Sequence, residues 1–137
     1  MWKIKFSEEK LKEAAEQYGL IEVYVFGSKI TEYEREGSDL DIAVRFKNGL
    51  PAVEIRGKIY GDIFSDLTSV FKGEKVDLTF IEEAPLHLQF KIVACGKMIY
   101  SKEKIQSLNF LENVVNRYRD YKFFIDEYFQ GVLARKV

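Results

Sequence analysis

The chain has 137 residues, 47% of them hydrophobic, which predicts one domain spanning residues 1–137. Its 21 basic and 22 acidic residues balance, so we expect no general attraction to nucleic acid, and nucleic acid is an unlikely partner. The sequence has no membrane-spanning apolar run, no signal-peptide pattern and one cysteine, which together predict a soluble cytoplasmic protein without a membrane partner.

The first part of the chain predicts a helix followed by two strands. Ser7 is a candidate N-cap before an acidic first turn, and Gly19 lies where this helix would end. Apolar, β-branched and aromatic residues then predict strands over residues 21–26 and 39–46. The polar segment between them predicts a turn or a short helix.

The second part begins with a helix after Pro51. Its predicted buried side contains Ala52, Ile55, Ile59, Ile63, Leu67 and Val70. Gly57 and Gly61 lie inside this helix, where each costs about 1 kcal/mol relative to alanine, and close packing is the simplest explanation for them.

The remaining elements are two strands and two helices. We predict a strand over residues 75–81, a helix over 85–95, a short strand over 97–100 and a long helix over about 102–132, which Ser101 would cap. The element order predicts an α/β (α+β) fold, a small mixed sheet with helices on one side and a long C-terminal helix.

Four residues, at the end of the first predicted strand and the beginning of the second, indicate a nucleotide site. Gly27 and Ser28 end the first strand, and Asp39 and Asp41 open the second. Alternation along a strand points both carboxylates in one direction, where a divalent cation such as magnesium would relieve their repulsion. Gly27 lets a ligand approach the backbone, and Ser28 with the following amides can bind phosphate. The pattern therefore predicts a nucleoside triphosphate site.

A third carboxylate comes from the next strand. Asp77 alternates with core residues, and Asp is depleted in strands. If the second and third strands are neighbours, Asp77 faces Asp39 and Asp41, and the three could hold two metal ions about 4 Å apart. The alternative is an Asp at a strand end, in solvent.

Gly-Ser, about ten residues, and Asp-x-Asp resemble the signature of the nucleotidyltransferases of the DNA polymerase β superfamily. Over about residues 23–100 the chain is most similar to the short MNT-type (minimal nucleotidyltransferase) antitoxins, which accompany HEPN-domain toxins. The resemblance implies the polymerase β-type nucleotidyltransferase fold. It also implies transfer of AMP from ATP to a tyrosine of a cognate HEPN-type toxin, which silences the toxin.

The resemblance also assigns roles to the carboxylates. It implies that Asp39 and Asp41 bind both magnesium ions, whereas Asp77 binds the catalytic one and takes the proton of the acceptor hydroxyl. Gly27 and Ser28 would contact the nucleotide.

The loop that follows departs from the family. Many relatives have a basic, glycine-containing turn there, but this loop carries Glu32, Glu34 and Glu36, which leaves its nucleotide contacts open. Lys29 at its start either reaches the triphosphate or is solvated.

Three further side chains have weaker functional readings. Arg45 shares the face of Asp39 and Asp41, so it either offsets their charge, touches phosphate or does neither. His87 has no partner at metal-ligand spacing, which predicts a helix-surface residue, and Cys95 is predicted to lie in the core.

The long last helix is the second informative feature. Apolar and tyrosine residues recur on it at steps of three and four, namely Leu111, Val114, Tyr118, Tyr121, Ile125, Tyr128 and Val132. Phe123 lies about opposite this seam, and Phe124 lies at its edge. The helix either docks a partner or a second copy of the chain, forming a homo-oligomer, or it packs on its own sheet.

Three functions remain open from the sequence. The first is AMP transfer to a HEPN-type partner. The second is nucleotidyl transfer to a small molecule, although enzymes of that kind usually carry an added helical domain. The third is a non-catalytic antitoxin or binding module, which the full set of Gly27, Ser28, Asp39, Asp41 and Asp77 argues against.

Overall fold

The computed structural model describes residues 4–27 and 39–135, so Ser28, Lys29 and the acidic loop lie outside the described residues. The helices are α1 (Glu8–Tyr18), α2 (Val53–Val70), α3 (Leu86–Phe90) and α4 (Lys104–Arg135). The strands are β1 (Leu20–Phe26), β2 (Leu40–Phe46), β3 (Val76–Phe80) and β4 (Lys97–Ser101). A 3₁₀ turn (Ile81–Glu83) precedes α3, and a π-helical segment (Lys91–Cys95) continues it.

The four strands form one mixed sheet in the order β3-β2-β1-β4. β1 pairs antiparallel with both β2 and β4, whereas β2 and β3 are parallel neighbours. The end of β1 therefore meets the beginnings of β2 and β3 at one end of the sheet. This arrangement confirms the predicted α/β fold class with its small mixed sheet and long C-terminal helix.

Helices cover both faces of the sheet, so the prediction of helices on one side was wrong. On one face, α1 and α2 pack on a large core that includes Leu40, Ile42 and Val44. On the other face, Tyr24, Phe26 and Ala43 pack with Ile81, Ile92 and Phe110 from the segments after β3. The residues of β1 that face either side of the sheet are largely apolar, and helices cover both sides. Every residue of β1 is therefore buried.

The first helix has the predicted caps. The Ser7 hydroxyl accepts a hydrogen bond from the Lys10 amide, which satisfies one of the free N–H groups of the first turn. Gly19 follows the last turn with φ of 67°, a left-handed conformation that glycine adopts without steric cost.

The buried side of α2 is shorter than predicted. Ile63, Leu67 and Val70 are buried, but Ala52 precedes the helix and Ile55 is half exposed. Ile55 is not part of the core and lines an open groove together with Tyr18, Gly19 and Phe46.

Gly57 and Gly61 do not serve close packing. A Cβ atom added at either position would meet nothing within 4 Å, so the predicted explanation was wrong. Both glycines are on the exposed side of α2, where they only weaken the helix.

Replacing these glycines is therefore expected to stabilise the protein. Gly57→Ala and Gly61→Ala should each raise the free energy of unfolding by about 0.5–1 kcal/mol, because alanine lowers the entropy of the unfolded chain and meets no obstacle here. Urea unfolding followed by circular dichroism measures the change. As the matched control, Gly19→Ala should destabilise, since Gly19 has a positive φ. Loss of stability in both helix variants would show that these positions are packed.

The first half of α4 packs on the body of the protein. Val114 is buried, and the ring of Tyr118 stacks on that of Phe90 with a centroid distance of 4.2 Å. Ser101 does not cap this helix as predicted. It belongs to β4, its hydroxyl bonds the hydroxyl of Ser107, and the helix begins only at Lys104.

The second half of α4 exposes its large side chains. Phe123 and Phe124 are each 66% exposed. The other exposed large residues of this half are Tyr121, Tyr128, Phe129 and Leu133. Of the predicted seam beyond Tyr118, Ile125 and Val132 are half-buried, whereas Tyr121 and Tyr128 are exposed. The second half of the helix thus presents an exposed aromatic surface within the described part of the chain.

The structure also shows whether His87 and Cys95 are buried or exposed. His87 is exposed on α3, as predicted, whereas Cys95 is exposed and not part of the core. The prediction for Cys95 was wrong because the π-helical segment buries Ile92 instead and turns Cys95 outward. Among the described helices, none combines the length and apolar character needed to cross a membrane.

Candidate active site

The three aspartates meet at one end of the sheet. Asp39 immediately precedes β2, Asp41 is the second residue of β2, and Asp77 is the second residue of β3. Asp41 and Asp77 are direct partners in the parallel register, so their side chains leave the same face of the sheet. The expectation that β2 and β3 are neighbours is confirmed.

Gly27 lies directly against this carboxylate pair. It follows β1 with φ of 84°, and its neighbour Phe26 is the partner of Asp41 across the sheet. A Cβ atom on Gly27 would overlap the Oδ2 atom of Asp41. Glycine is therefore required twice, by its backbone conformation and by the Asp41 carboxylate that fills the space beside it.

The environment of Asp41 favours its protonated form. The pKa of the Asp41 carboxyl is raised from 3.8 to about 6, chiefly by burial and then by the negative charges of Asp77 and Asp39. A hydrogen bond between the Asp41 and Asp77 side chains acts in the same direction, and the positive charge of Lys91 opposes it. Two carboxyl groups in this arrangement attract either a shared proton or a cation.

The Asp39 carboxylate pairs with Lys75, although its charge also acts on Asp41. Its Oδ1 atom is 3.8 Å from Nζ of Lys75, whose side chain is 82% exposed. No group of three acidic, histidine or cysteine side chains among residues 4–27 and 39–135 is arranged to hold a metal ion. An exposed ion pair contributes only about 0–1 kcal/mol, so Asp39 can exchange Lys75 for a cation at little cost.

The donor set suits magnesium. Asp41 and Asp77 supply adjacent carboxylate oxygens whose mutual repulsion a divalent cation would relieve, and Asp39, whose charge also acts on Asp41, supplies a third carboxylate.

Arg45 does not belong to the site. It shares the sheet face of Asp41, but its Nε atom donates to the buried carboxylate of Glu22, and its guanidinium lies 4.1 Å from the ring centroid of Phe110. Glu22 is fully buried, so it holds Arg45 strongly. The reading in which Arg45 offsets the aspartates or touches phosphate was wrong.

Lys91 affects the site electrostatically, although no pattern in the sequence indicates it. It begins the π-helical segment, fourteen positions after Asp77, and its charge acts on the Asp41 carboxyl. A single lysine in a predicted helix carries no local signal of this kind.

Removing the Asp41 charge is expected to stabilise the metal-free protein at neutral pH. Because folding raises the carboxyl pKa, keeping Asp41 ionised costs folding free energy; this cost is absent below about pH 4 and fully present above about pH 6. Asp41→Asn should therefore raise Tm by about 2–5 °C at pH 7.5 and change it little near pH 4. Calorimetry in EDTA measures both values.

The control for this prediction is Asp126→Asn, on the exposed part of α4, which should change Tm little at either pH. A lower Tm for Asp41→Asn at pH 7.5 would mean that the carboxylate makes net favourable contacts in the folded protein.

The comparisons with known proteins agree with this geometry. Residues 9–105, more than half of the chain, match the family described as "Polymerase beta, Nucleotidyltransferase". No curated protein matches the sequence.

Several solved structures share the fold. A toxin–antitoxin complex with AMP-PNP superimposes with a TM-score of 0.67 at 21% identity, covering 93% of this chain and 98% of that chain. The MntA–HepT toxin–antitoxin gives a TM-score of 0.62 at 20% identity, with 92% and 96% covered. The MNT antitoxin complex with tri-AMPylated Shewanella oneidensis HEPN toxin gives 0.60 at 21%, with 92% and 95% covered.

The family match spans α1 to the start of α4 and includes Gly27 and all three aspartates. The resemblance to MNT-type proteins agrees with the solved structures that share the fold. The chain belongs to the polymerase β family of nucleotidyltransferases.

Proposed function

We propose that this nucleotidyltransferase moves AMP from ATP to a tyrosine hydroxyl of a HEPN-type toxin. The observation that carries the chemistry is the direct pairing of Asp41 with Asp77 between β2 and β3, with the Asp41 carboxylate against the backbone of Gly27. A carboxylate that can take a proton thus lies beside the turn at Gly27. That turn leads into Ser28 and Lys29, the predicted phosphate-binding residues.

In the proposed reaction, the acceptor oxygen forms a bond to the α-phosphorus of ATP, and the bond to the β-phosphate breaks. Pyrophosphate leaves, and Asp77 takes the proton of the hydroxyl. Asp77 suits this role because it is exposed on β3, the edge strand of the sheet, where an acceptor can reach it.

The same carboxylates are proposed to hold magnesium. Asp41, Asp77 and Asp39 would together hold two magnesium ions. Such ions would neutralise charge at the phosphorus and favour ionisation of the acceptor hydroxyl. Gly27 keeps the Asp41 carboxylate in place, since any larger residue would displace it.

The partner is proposed from two observations. The first is that similar structures are antitoxins solved with HEPN toxins, one of which is AMPylated. The second is the exposed aromatic half of α4, within the predicted docking element at about residues 102–132. Aromatic side chains of this exposure are typical of protein interfaces.

Incubation with α-³²P-labelled ATP, magnesium and a co-purified HEPN-type protein tests the function. Label on a HEPN tyrosine, located by mass spectrometry, supports the proposal. Label on an added small-molecule hydroxyl instead would favour the small-molecule reaction. Tight binding without any transfer would indicate a binding module.

The aromatic surface of α4 gives a further expected result. Phe123→Ala should weaken binding of the HEPN partner, or self-association, by roughly thirtyfold, the typical effect of truncating an aromatic anchor. Tm should hardly change, because the side chain is mostly exposed. Titration calorimetry measures the partner affinity and sedimentation the self-association.

Tyr118→Ala is the matched variant on the packed half of the same helix. It should lower the free energy of unfolding by about 2–4 kcal/mol, since its ring stacks on Phe90. A steep fall in Tm for Phe123→Ala with unchanged association would contradict the docking role.

A further inference from the structure

Two aromatic side chains of α2 lie beside β3 and are partly exposed. Tyr60 and Phe64 are 37% and 39% exposed, and because they are four residues apart they project from the same side of the helix. Their rings stack nearly parallel, with an interplanar angle of 13° and a centroid distance of 6.5 Å. The Tyr60 ring also contacts that of Phe80 in β3, with the centroids 5.4 Å apart. Because β3 is the edge strand of the sheet, the ring pair lies next to an edge that a partner can approach.

The hydroxyl of Tyr60 fixes this pair at the open edge of β3. It donates a hydrogen bond of 2.9 Å to the carbonyl oxygen of Leu78. The Lys75 carbonyl accepts from the Leu40 amide of β2, so the carbonyl of Leu78, which alternates with it, points away from β2. Burial chiefly raises the pKa of Tyr60, and the charge of Asp77 adds to the rise. The Tyr60 hydroxyl therefore lies one residue along the strand from the proposed general base.

The direction of α2 places Phe64 nearer the beginning of β3. Arg56, one turn before Tyr60, has its Nη1 atom 3.3 Å from Oε1 of Glu83, which lies beyond the end of β3. α2 therefore runs antiparallel to β3, and each of its turns advances about 5.4 Å toward the beginning of the strand. The turn after Tyr60 carries Phe64, and the beginning of β3 carries the exposed Asp77. The ring pair thus borders the part of the edge where Asp77 lies.

The two sides of the carboxylate pair suit different substrates. Gly27 lies against Asp41, on the side of the predicted nucleotide site, whereas Asp77 belongs to the edge strand. An acceptor hydroxyl must come within hydrogen-bond distance of Asp77 to give up its proton there. When that hydroxyl belongs to a tyrosine, a ring accompanies it, and aromatic side chains at the same edge offer the ring a stacking surface.

We propose that Tyr60 and Phe64 bind the aromatic ring of the acceptor tyrosine while its hydroxyl meets Asp77. The inference rests on the nucleotidyl transfer proposed above and names the acceptor contacts of that site. A serine or threonine hydroxyl brings no ring, so the pair also favours tyrosine over these residues. Phe64 is the residue to test, because Tyr60 in addition bonds the strand through its hydroxyl.

Steady-state transfer of labelled AMP to the HEPN-type partner tests this role. Phe64→Ala should lower kcat/KM for the partner by about 3- to 10-fold, the typical effect of one aromatic pair, and Phe64→Tyr should retain most of the activity. The affinity for magnesium–AMP-PNP, measured by calorimetry, should be unchanged in both variants. Val53→Ala, at the other end of the same helix and 75% exposed, is the matched control and should transfer normally.

The outcomes separate the inference from the proposed function. If Phe64→Ala labels the partner as fast as the unmodified protein, the inference fails while the transfer stands. The inference also fails if AMP-PNP affinity falls as much as transfer does, because the rings would then stack on the adenine base. If the unmodified protein transfers nothing to the partner, the proposed function fails together with the inference. Phe64→Leu, which keeps an apolar side chain without a ring, repeats the series if Phe64→Ala lowers Tm.

Discussion

Asp41→Asn and Asp39→Asn are each expected to reduce nucleotidyl transfer by about 10³-fold or more, with the fold retained. The reason is that both carboxylates are proposed magnesium ligands, and the charge stabilisation supplied at such a site amounts to several kcal/mol of the barrier. The two variants should differ in stability. Asp41→Asn removes a partly buried charge, whereas Asp39→Asn removes only the exposed pair with Lys75.

The measurement combines activity with metal binding. Initial rates with labelled ATP give the loss of transfer, and calorimetry gives the affinity for magnesium–ATP. Asp126→Asn is the control for removing one carboxylate far from the site, and it should retain full activity. Unchanged magnesium–ATP affinity in both site variants would refute the metal assignment.

Asp77→Asn is expected to reduce turnover by at least about 10²-fold while weakening nucleotide affinity only modestly. A general base contributes about 10²–10⁴-fold, and a ligand of one metal ion affects binding less than a ligand of two. Because Asp77 also helps to raise the pKa of Asp41, its removal should lower that pKa.

Two readouts distinguish a proton acceptor from a structural residue. In Asp77→Asn, the pH profile of kcat should lose the limb that reports ionisation of the general base. In the same variant, the ¹³C NMR signal of the Asp41 carboxyl should titrate at lower pH than in the unmodified protein. Near-normal turnover of Asp77→Asn would make Asp77 a structural residue.

Local patterns were sufficient for the elements and for the three aspartates. Strand alternation and helix caps depend on neighbours in sequence, so the helix from Ser7 to Gly19 and the common face of β2 could be predicted directly. Asp77 stood out because an aspartate inside an apolar strand is unusual. Its position beside Asp41 was only conditional, since pairing of β2 with β3 requires contacts between distant segments.

Long-range packing decided what each charged group does. Arg45 and Asp41 share a sheet face, yet Arg45 is bound by Glu22 from β1, and no local pattern records that partner.

The tertiary structure also decided which apolar stripes are covered. Periodicity marks a stripe along all of α4, but a helix buries its stripe only where another element lies opposite, and none of the described elements covers it beyond Tyr118. The sequence by itself thus determined the elements and the three aspartates of the candidate site, because these follow from local sterics and alternation. Strand order, the partner of Arg45 and the exposed half of α4 were decided only by packing between segments far apart in the chain.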